Sequence, residues 1–384
     1  MTSNDLPQGT APNTISLMFG HPDPATLLTP ELREAMQHVI SSPQSYTALQ
    51  YGAEQGTQSL ISFLVEKINR EQGLSIQPAN LMVVAGSTHA VDMLARLYAR
   101  PGGVVLVEAP TYVDAIHIFR DHQVELCSIP MDEYGLITEE LEKQLALLNA
   151  SGKFPSMLYT IPNFHNPTGS TLSESRRIEI VRLARQHNFL IMEDDVYRDL
   201  SFEDTVPASF YALANGSQVF SIGSFSKTLA PGLRLGWLLA SEDAIQRCVN
   251  CGTTQMGGGA NPFTAQIVAA YCRSGHWQMH IARLQSLYKM RRDVTLSALR
   301  RYMPPAVKWT HPAGGFFIWL RLPENVFAQD VKRLALQKGI SLAAGEGFFV
   351  NATDGEHNLR LAYSCASPTD IDTAIHILAQ VISI

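Results

Sequence analysis

From about residue 80 the chain alternates short apolar runs with longer stretches whose apolar residues recur every three or four positions. Residues 81–86 (LMVVAG), 104–110 (VVLVEAP), 156–161 (SMLYTI), 189–197 (FLIMEDDVY) and 218–224 (QVFSIGS) read as strands with their exits. Residues 87–99, 111–122 and 173–188 read as the helices between them. Runs that are apolar without alternation are strands covered on both faces. Strands alternating with helices predict an α/β fold with a mostly parallel sheet and helices on both sides. In such sheets ligands gather beyond the carboxyl ends of the strands.

The flanks read differently. Residues 1–23 predict an extended arm broken by Pro and Gly. Thr29-Pro30-Glu31-Leu32 is a helix start, with Thr as cap and Pro at the first position. Tyr51-Gly52 predicts a turn before an amphipathic helix. After a Gly-rich segment over 251–266, one long helical region is expected over 265–302, ended by Pro304-Pro305. Residues 307–323 predict two strands around Gly314-Gly315. A helix over 327–339, short strands over 340–349, a strand in 357–364 and a closing helix complete a smaller α+β unit. The expected division is an arm (1–30), a large unit (31–280) and a small C-terminal unit (281–384).

Composition narrows the class. A chain of 384 residues, 46% hydrophobic and 17% charged, has room for two domains with a well-buried core. A net charge of −6 argues against nucleic acid as the main partner. No apolar run is long enough to span a bilayer, and the polar N-terminus lacks a signal-peptide pattern. Five cysteines fit a reducing compartment, here the cytoplasm, rather than a disulfide framework. Cys248 and Cys251 form a lone CxxC, which reads as two packed thiols rather than a metal site.

The chemistry concentrates in residues 221–237, SIGSFSKTLAPGLRLGW. A strand opens into a small-residue loop carrying Ser224, Ser226 and Lys227, and Pro231-Gly232 turns the chain before Arg234. A lysine among hydroxyls and an arginine suits nucleotide phosphate binding or a Schiff base beside a bound phosphate. The first needs Gly directly before the Lys, and Ser226 stands there. Other strand ends carry polar groups too. Gly86-Ser87-Thr88 opens a helix and offers an anion site. Asp194 ends a buried apolar run, where a carboxylate needs a cation or several donors. Asp195 competes for that role, and the spacing to Tyr197 favours Asp194. Asn166 sits at an Asn-Pro corner. Arg360 interrupts an apolar run, and a buried guanidinium needs an anion.

The S-x-S-K-x-x-x-P-G-x-R-x-G stretch resembles the lysine signature of the class I/II pyridoxal-phosphate-dependent aminotransferases. NPTG, D-x-x-Y, AP-x-Y, P-x-GG-x-F and G-x-x-F occur in that family's order across nearly the whole chain. The resemblance implies fold type I, with a mostly parallel seven-stranded sheet, and looks closest to the 2-aminoadipate and aromatic aminotransferase branch. It implies pyridoxal 5′-phosphate joined to Lys227 as an aldimine, its phosphate held by Ser87, Thr88, Ser224, Ser226 and Arg234. Tyr51 reaches that phosphate from the neighbouring subunit of a homodimer. Asp194 holds the pyridine proton, Asn166 and Tyr197 bond the phenolic oxygen, and Tyr112 stacks on the ring. Asn166 borders the substrate, and Arg360 clamps its carboxylate. The expected reaction is amino transfer between an L-amino acid and a 2-oxo acid, with Lys227, Asp194 and Tyr197 as the catalytic set. A related branch fuses such a unit to a DNA-binding winged helix; a chain that starts directly at the arm argues against a transcription regulator. Ala362 stands where the family pattern carries Asn, and the Arg of its Y-G-x-x-x-G-x-x-x-L-R pattern is replaced by Ile61.

The arm keeps a second reaction class open. His21 and Asp23 stand where the family commonly has small residues, and Thr26 follows shortly. A second acid/base or a grip on a polar side chain there fits a lyase, a replacement enzyme or a cyclase acting at Cβ or Cγ. The other reading of the arm is a solvated segment.

Overall fold

The computed structural model describes residues 14–203 and 205–383. Strand β1 (Ile15–Ser16) belongs to the arm. The apolar runs then form β2 (Leu81–Val84), β3 (Val104–Ala109), β4 (Glu125–Asp132), β5 (Gly135–Leu136), β6 (Pro155–Thr160), β7 (Leu190–Asp194), β8 (Val219–Ser224) and β9 (Gly236–Leu239). These make one eight-stranded sheet in the order β2-β9-β8-β7-β6-β3-β4-β5. Strands β3, β4, β6, β7 and β8 pair in parallel, and β9 is antiparallel to both neighbours. The two-residue β5 is a hairpin partner at the edge; without it the expected seven-stranded sheet remains.

Successive residues face opposite sides, as the pleat requires. Met82, Val84, Val105, Val107, Met157 and Tyr159 enter one core, under helices Ser87–Tyr98 and Val113–Asp121. Leu81, Val83, Val104, Leu106 and Leu158 enter the other, under helices Gln58–Gln72, Thr138–Ala150 and Glu174–His187. Apolar cover on both faces is why these runs carry no polar alternation. Strand β4 and helix Thr138–Ala150 have no counterpart in the sequence reading. The β4 sequence ELCSIPMD buries only Ile129 fully, so its apolar signal is faint.

The chain steps from β3 to β4 in one direction and from β6 through β7 to β8 in the other. The loops leaving β3 and β6 therefore diverge, and a crevice opens between them.

The C-terminal part forms β10 (Lys308–Trp309), β11 (Phe317–Arg321), β12 (Ile340–Ser341), β13 (Ala343–Ala344) and β14 (Asn358–Ala362). Four of these make an antiparallel sheet, β10-β11-β14-β13, and β12 pairs in parallel with β1 of the arm. Leu17 N–H donates to Ser341 O and accepts at its own carbonyl from Ala362 N–H, both at 2.8 Å. The arm is thus stitched to this sheet before it crosses the crevice.

The helical region expected over 265–302 is two helices, Pro262–Arg273 and His276–Tyr302. Gly275, with φ +83°, divides them in the left-handed region that glycine tolerates. Apolar spacing continues across the break, which hid it. Helix Pro30–Ser41 starts as expected: Thr29 Oγ1 accepts from Leu32 N–H at 3.2 Å.

Candidate active site

The loops after β2, β3, β6, β7 and β8 open into one cavity of about 570 Å³. They bring Ser87, Thr88, Tyr112, Asn166, Asp194, Tyr197, Ser226, Lys227 and Arg234 to its wall. Arg360 of β14, Phe317 of β11 and Phe348 face them, and Met18 to His21 of the arm cross the mouth. Two other hollows measure about 620 and 860 Å³, and no lysine lines either one.

The lysine loop is held from several sides. Phe225 packs edge-on against Trp237 and Trp277, with centroids 5.1 and 5.6 Å away. His280 of helix His276–Tyr302 bonds Thr228 O at 2.8 Å. Lys227 Nζ donates to Gly20 O at 2.9 Å and stands 5.9 Å from the Tyr197 ring. Burial first, then the Arg360 charge, lowers its pKa to about 8, so a neutral amine is populated near physiological pH.

One end of the cavity suits an anion. Ser87 and Thr88 open helix Ser87–Tyr98, whose first N–H groups lack helical partners. Gly86 precedes them with φ +87°, and a Cβ there would come within 2.8 Å of Arg234 Nη2. Glycine therefore serves both the turn and the guanidinium. Arg234 itself forms no ion pair among the described residues.

The other end holds a carboxylate. Asp194 is buried; its Oδ2 accepts from Tyr159 OH at 2.7 Å, and its Oδ1 has no partner. Burial raises its pKa to about 6, against the opposing bond from Tyr159. Asp195 turns away, accepting from Asn163 Nδ2 at 2.6 Å and Arg198 Nη1 at 3.2 Å. Of the two acids, only Asp194 borders the cavity.

Arg360 lies between the Phe317 and Phe348 rings, 4.5 and 4.7 Å from their centroids. It donates to Asn166 Oδ1 at 2.9 Å and Met18 O at 2.6 Å, while its buried Nε is unpaired. Burial lowers its pKa to about 10, which leaves it charged at neutral pH. Tyr197 is buried edge-on to Phe316 and Phe317, and burial pushes its phenol up. Tyr112 borders the cavity, with its hydroxyl donated to Asp114; burial and that bond raise its pKa.

Three expected residues stand outside this wall. Ser224 Oγ donates to Leu235 O at 3.4 Å and accepts from Ser226 N–H at 3.1 Å, so it shapes the loop from within. Thr26 Oγ1 donates to Asp23 O at 2.7 Å, inside the arm's own turn. Tyr51 is 84% exposed and borders the 860 Å³ hollow, which shares Arg234 with the cavity. Of the arm's described polar side chains, Asp23 pairs with Arg291, and His21 reaches the rim, stacked on Phe19 at 5.2 Å. Partial burial, then Lys227 and Arg360, lower the His21 pKa.

The structure adds residues the sequence reading did not single out. Arg177 is fully buried and bonds Leu172 O, Pro162 O and Asn163 Oδ1, which pins the loop that carries Asn166. A long charged side chain inside the helix Glu174–His187 was its only signal. Gln329 and Lys332 border the mouth from helix Ala328–Gln337.

The arrangement joins an amine of lowered pKa, an anion site, a buried carboxylate with a free oxygen, and a guanidinium with an unpaired donor. The chain carrying it resembles known proteins along most of its length. Residues 14–378 match the family model for aminotransferase class I and II. The chain is 34% identical over 370 residues to aromatic-amino-acid aminotransferase 1 of Thermococcus litoralis, covering 96% of this chain and 88% of that protein. The solved kynurenine aminotransferase of Pyrococcus horikoshii, in complex with PMP, superposes with a TM-score of 0.92 at 33% identity, over 97% of this chain and 91% of that one. The α-aminoadipate aminotransferase LysN of Thermus thermophilus, complexed with N-(5′-phosphopyridoxyl)-L-leucine, gives a TM-score of 0.88 at 29% identity, over 97% and 92%. The chain belongs to the aminotransferase class I and II family.

Proposed function

We propose that the cavity holds pyridoxal 5′-phosphate on Lys227 and moves an amino group between an L-amino acid and a 2-oxo acid. One observation carries the reading: the Lys227 amine, the free Asp194 Oδ1 and the Arg360 guanidinium border a single cavity at the strand ends. The cofactor's chemistry fits each orphaned group. Its phosphate matches Arg234 and the helix start, its ring nitrogen matches Asp194 Oδ1, and its aldehyde needs an amine. When bound it supplies a ring that accepts the negative charge left at the substrate Cα.

The chain's residues do the rest. Ser87, Thr88, Ser226 and Arg234 bind the phosphate, and Ser224 holds the loop. Asp194 keeps a proton on the ring nitrogen. Asn166 and Tyr197 donate to the phenolic oxygen, and Tyr112 covers the ring face. Arg360 exchanges Met18 O for the substrate carboxylate, a stronger charge-assisted partner. Lys227, whose lowered pKa leaves part of its amine neutral at physiological pH, would take the proton from the substrate Cα. His21, Gln329 and Lys332 at the mouth favour a polar side chain on the substrate.

The same reading makes the active unit a homodimer. Leu49, Tyr51 and Met256 are 78%, 84% and 87% exposed around the hollow beside Arg234, and large apolar groups grouped this way suit burial by a partner. A second copy seated there would place its Tyr51 near the phosphate. It also divides the chain into arm (1–30), cofactor-binding unit (31–280) and small unit (281–384), supported by two separate main sheets. The five free thiols fit a reducing cytoplasm, and no described helix is long and apolar enough to cross a membrane. Single amino acids added to the cofactor-loaded protein should convert pyridoxal phosphate to pyridoxamine phosphate. Retained pyridoxal phosphate with release of ammonia would instead support elimination.

A further inference from the structure

Tyr159 has no part in the scheme above, yet it touches its most buried charge. It lies on β6, beside β7, in register with Met192. Its ring packs edge-on against Phe119, with centroids 5.8 Å apart. Its hydroxyl donates to Asp194 Oδ2 at 2.7 Å, and both residues are buried. The remaining oxygen, Oδ1, is buried and unpaired, and Asp194 borders the cavity.

We propose that Tyr159 is the positioning residue for the ring-nitrogen contact: by occupying Oδ2 it keeps the Asp194 carboxyl ionised and leaves Oδ1 for the cofactor's N–H. The inference rests on the cofactor reading above. A buried carboxylate with no donors takes up a proton, and a neutral acid cannot balance a protonated pyridine. A donated hydrogen bond favours the ionised form. A phenol provides that bond without adding a cation, which would compete with the pyridinium for Asp194. The other charges facing Asp194 are Asp195, next in the chain, and Lys227, from the loop after β8. The phenols of Tyr112 and Tyr197 also lie close enough to couple to it. Tyr159→Phe leaves all of these in place and keeps the ring's packing on Phe119.

The test measures uptake of pyridoxal phosphate by apoprotein, followed by absorbance, together with the ring-nitrogen NMR shift of bound ¹⁵N-labelled cofactor. Tyr159→Phe should weaken uptake about tenfold or more, the loss expected for a hydrogen bond to a charged group. It should also move the nitrogen shift toward the unprotonated value. On an Asp194→Asn background, Tyr159→Phe should cost less than about twofold, since no carboxylate charge remains to be held. Equal losses on both backgrounds, or an unchanged nitrogen shift in Tyr159→Phe, would show a packing role alone and overturn the proposal. Wild-type protein that takes up no cofactor would instead defeat the parent reading.

Discussion

Arg360 and Asn166 are 194 positions apart in the chain, yet Arg360 Nη1 donates to Asn166 Oδ1 at 2.9 Å. The bond joins β14 to the loop after β6, so the proposed carboxylate site and the proposed cofactor contact are set by one contact across the crevice. Two phenyl faces and a backbone carbonyl fix the guanidinium's plane. Replacing it with Lys keeps a charge but loses the fork that grips a carboxylate at two points. Arg360→Lys should lower kcat/KM for amino acids by roughly 10- to 100-fold, mostly through KM, with the cofactor's visible absorbance unchanged. Steady-state kinetics beside an absorbance scan would check it.

The Asp194 carboxyl is raised from 3.8 to about 6 in the fold, with burial as the main cause. The native protein therefore binds more protons than the unfolded chain between those values, so ionised Asp194 costs stability as pH rises through about 6. At pH 7 that cost is at most about 3 kcal/mol by the usual conversion of a pKa difference. Cofactor-free Asp194→Asn should be more stable than cofactor-free wild type at pH 7, with the gap closing toward pH 4. Urea unfolding at several pH values measures the gap. A gap that widened on acidification would contradict the environment described for Asp194.

Gly86 is fixed by its φ of +87° and by the Arg234 guanidinium, which a Cβ would meet at 2.8 Å. Gly86→Ala should destabilise the fold by roughly 1–3 kcal/mol and weaken phosphate binding by displacing Arg234. Melting temperature and pyridoxal-phosphate affinity should fall together. A variant with unchanged affinity would remove Arg234 from the phosphate set.

The exposed Leu49 and Met256 mark the face proposed to meet a second copy. Leu49→Asp with Met256→Asp should shift sedimentation from dimer to monomer and cut cofactor affinity, because Tyr51 would then leave the shared site. Monomeric wild-type protein of full activity would contradict that assembly.

The parts of the site that were legible in the sequence are charges where apolar runs should be. Lys227, Asp194 and Arg360 each follow, end or interrupt a buried strand, and a buried charge must have a partner. The strands themselves were legible because both faces are covered. The hidden parts depend on contacts far apart in the chain. Nothing local says that Asp23 turns to Arg291, 268 positions away, and so leaves the mouth. Ser224 carries the right hydroxyl, but the backbone of its own loop claims it. The role of Tyr159 is hidden because a strand's alternation places a side chain on a face without saying what its tip meets. Strand β4 was missed for the opposite reason: at the sheet's edge little of it needs to be apolar.

Absorbance and turnover of Lys227→Ala test the central claim most directly. Wild-type protein loaded with pyridoxal phosphate should show a visible band that an amino acid donor removes. The variant, folded as judged by circular dichroism, should lack both that band and turnover. A variant that keeps wild-type turnover, or a wild type that stays colourless after loading, would contradict the assignment of this lysine.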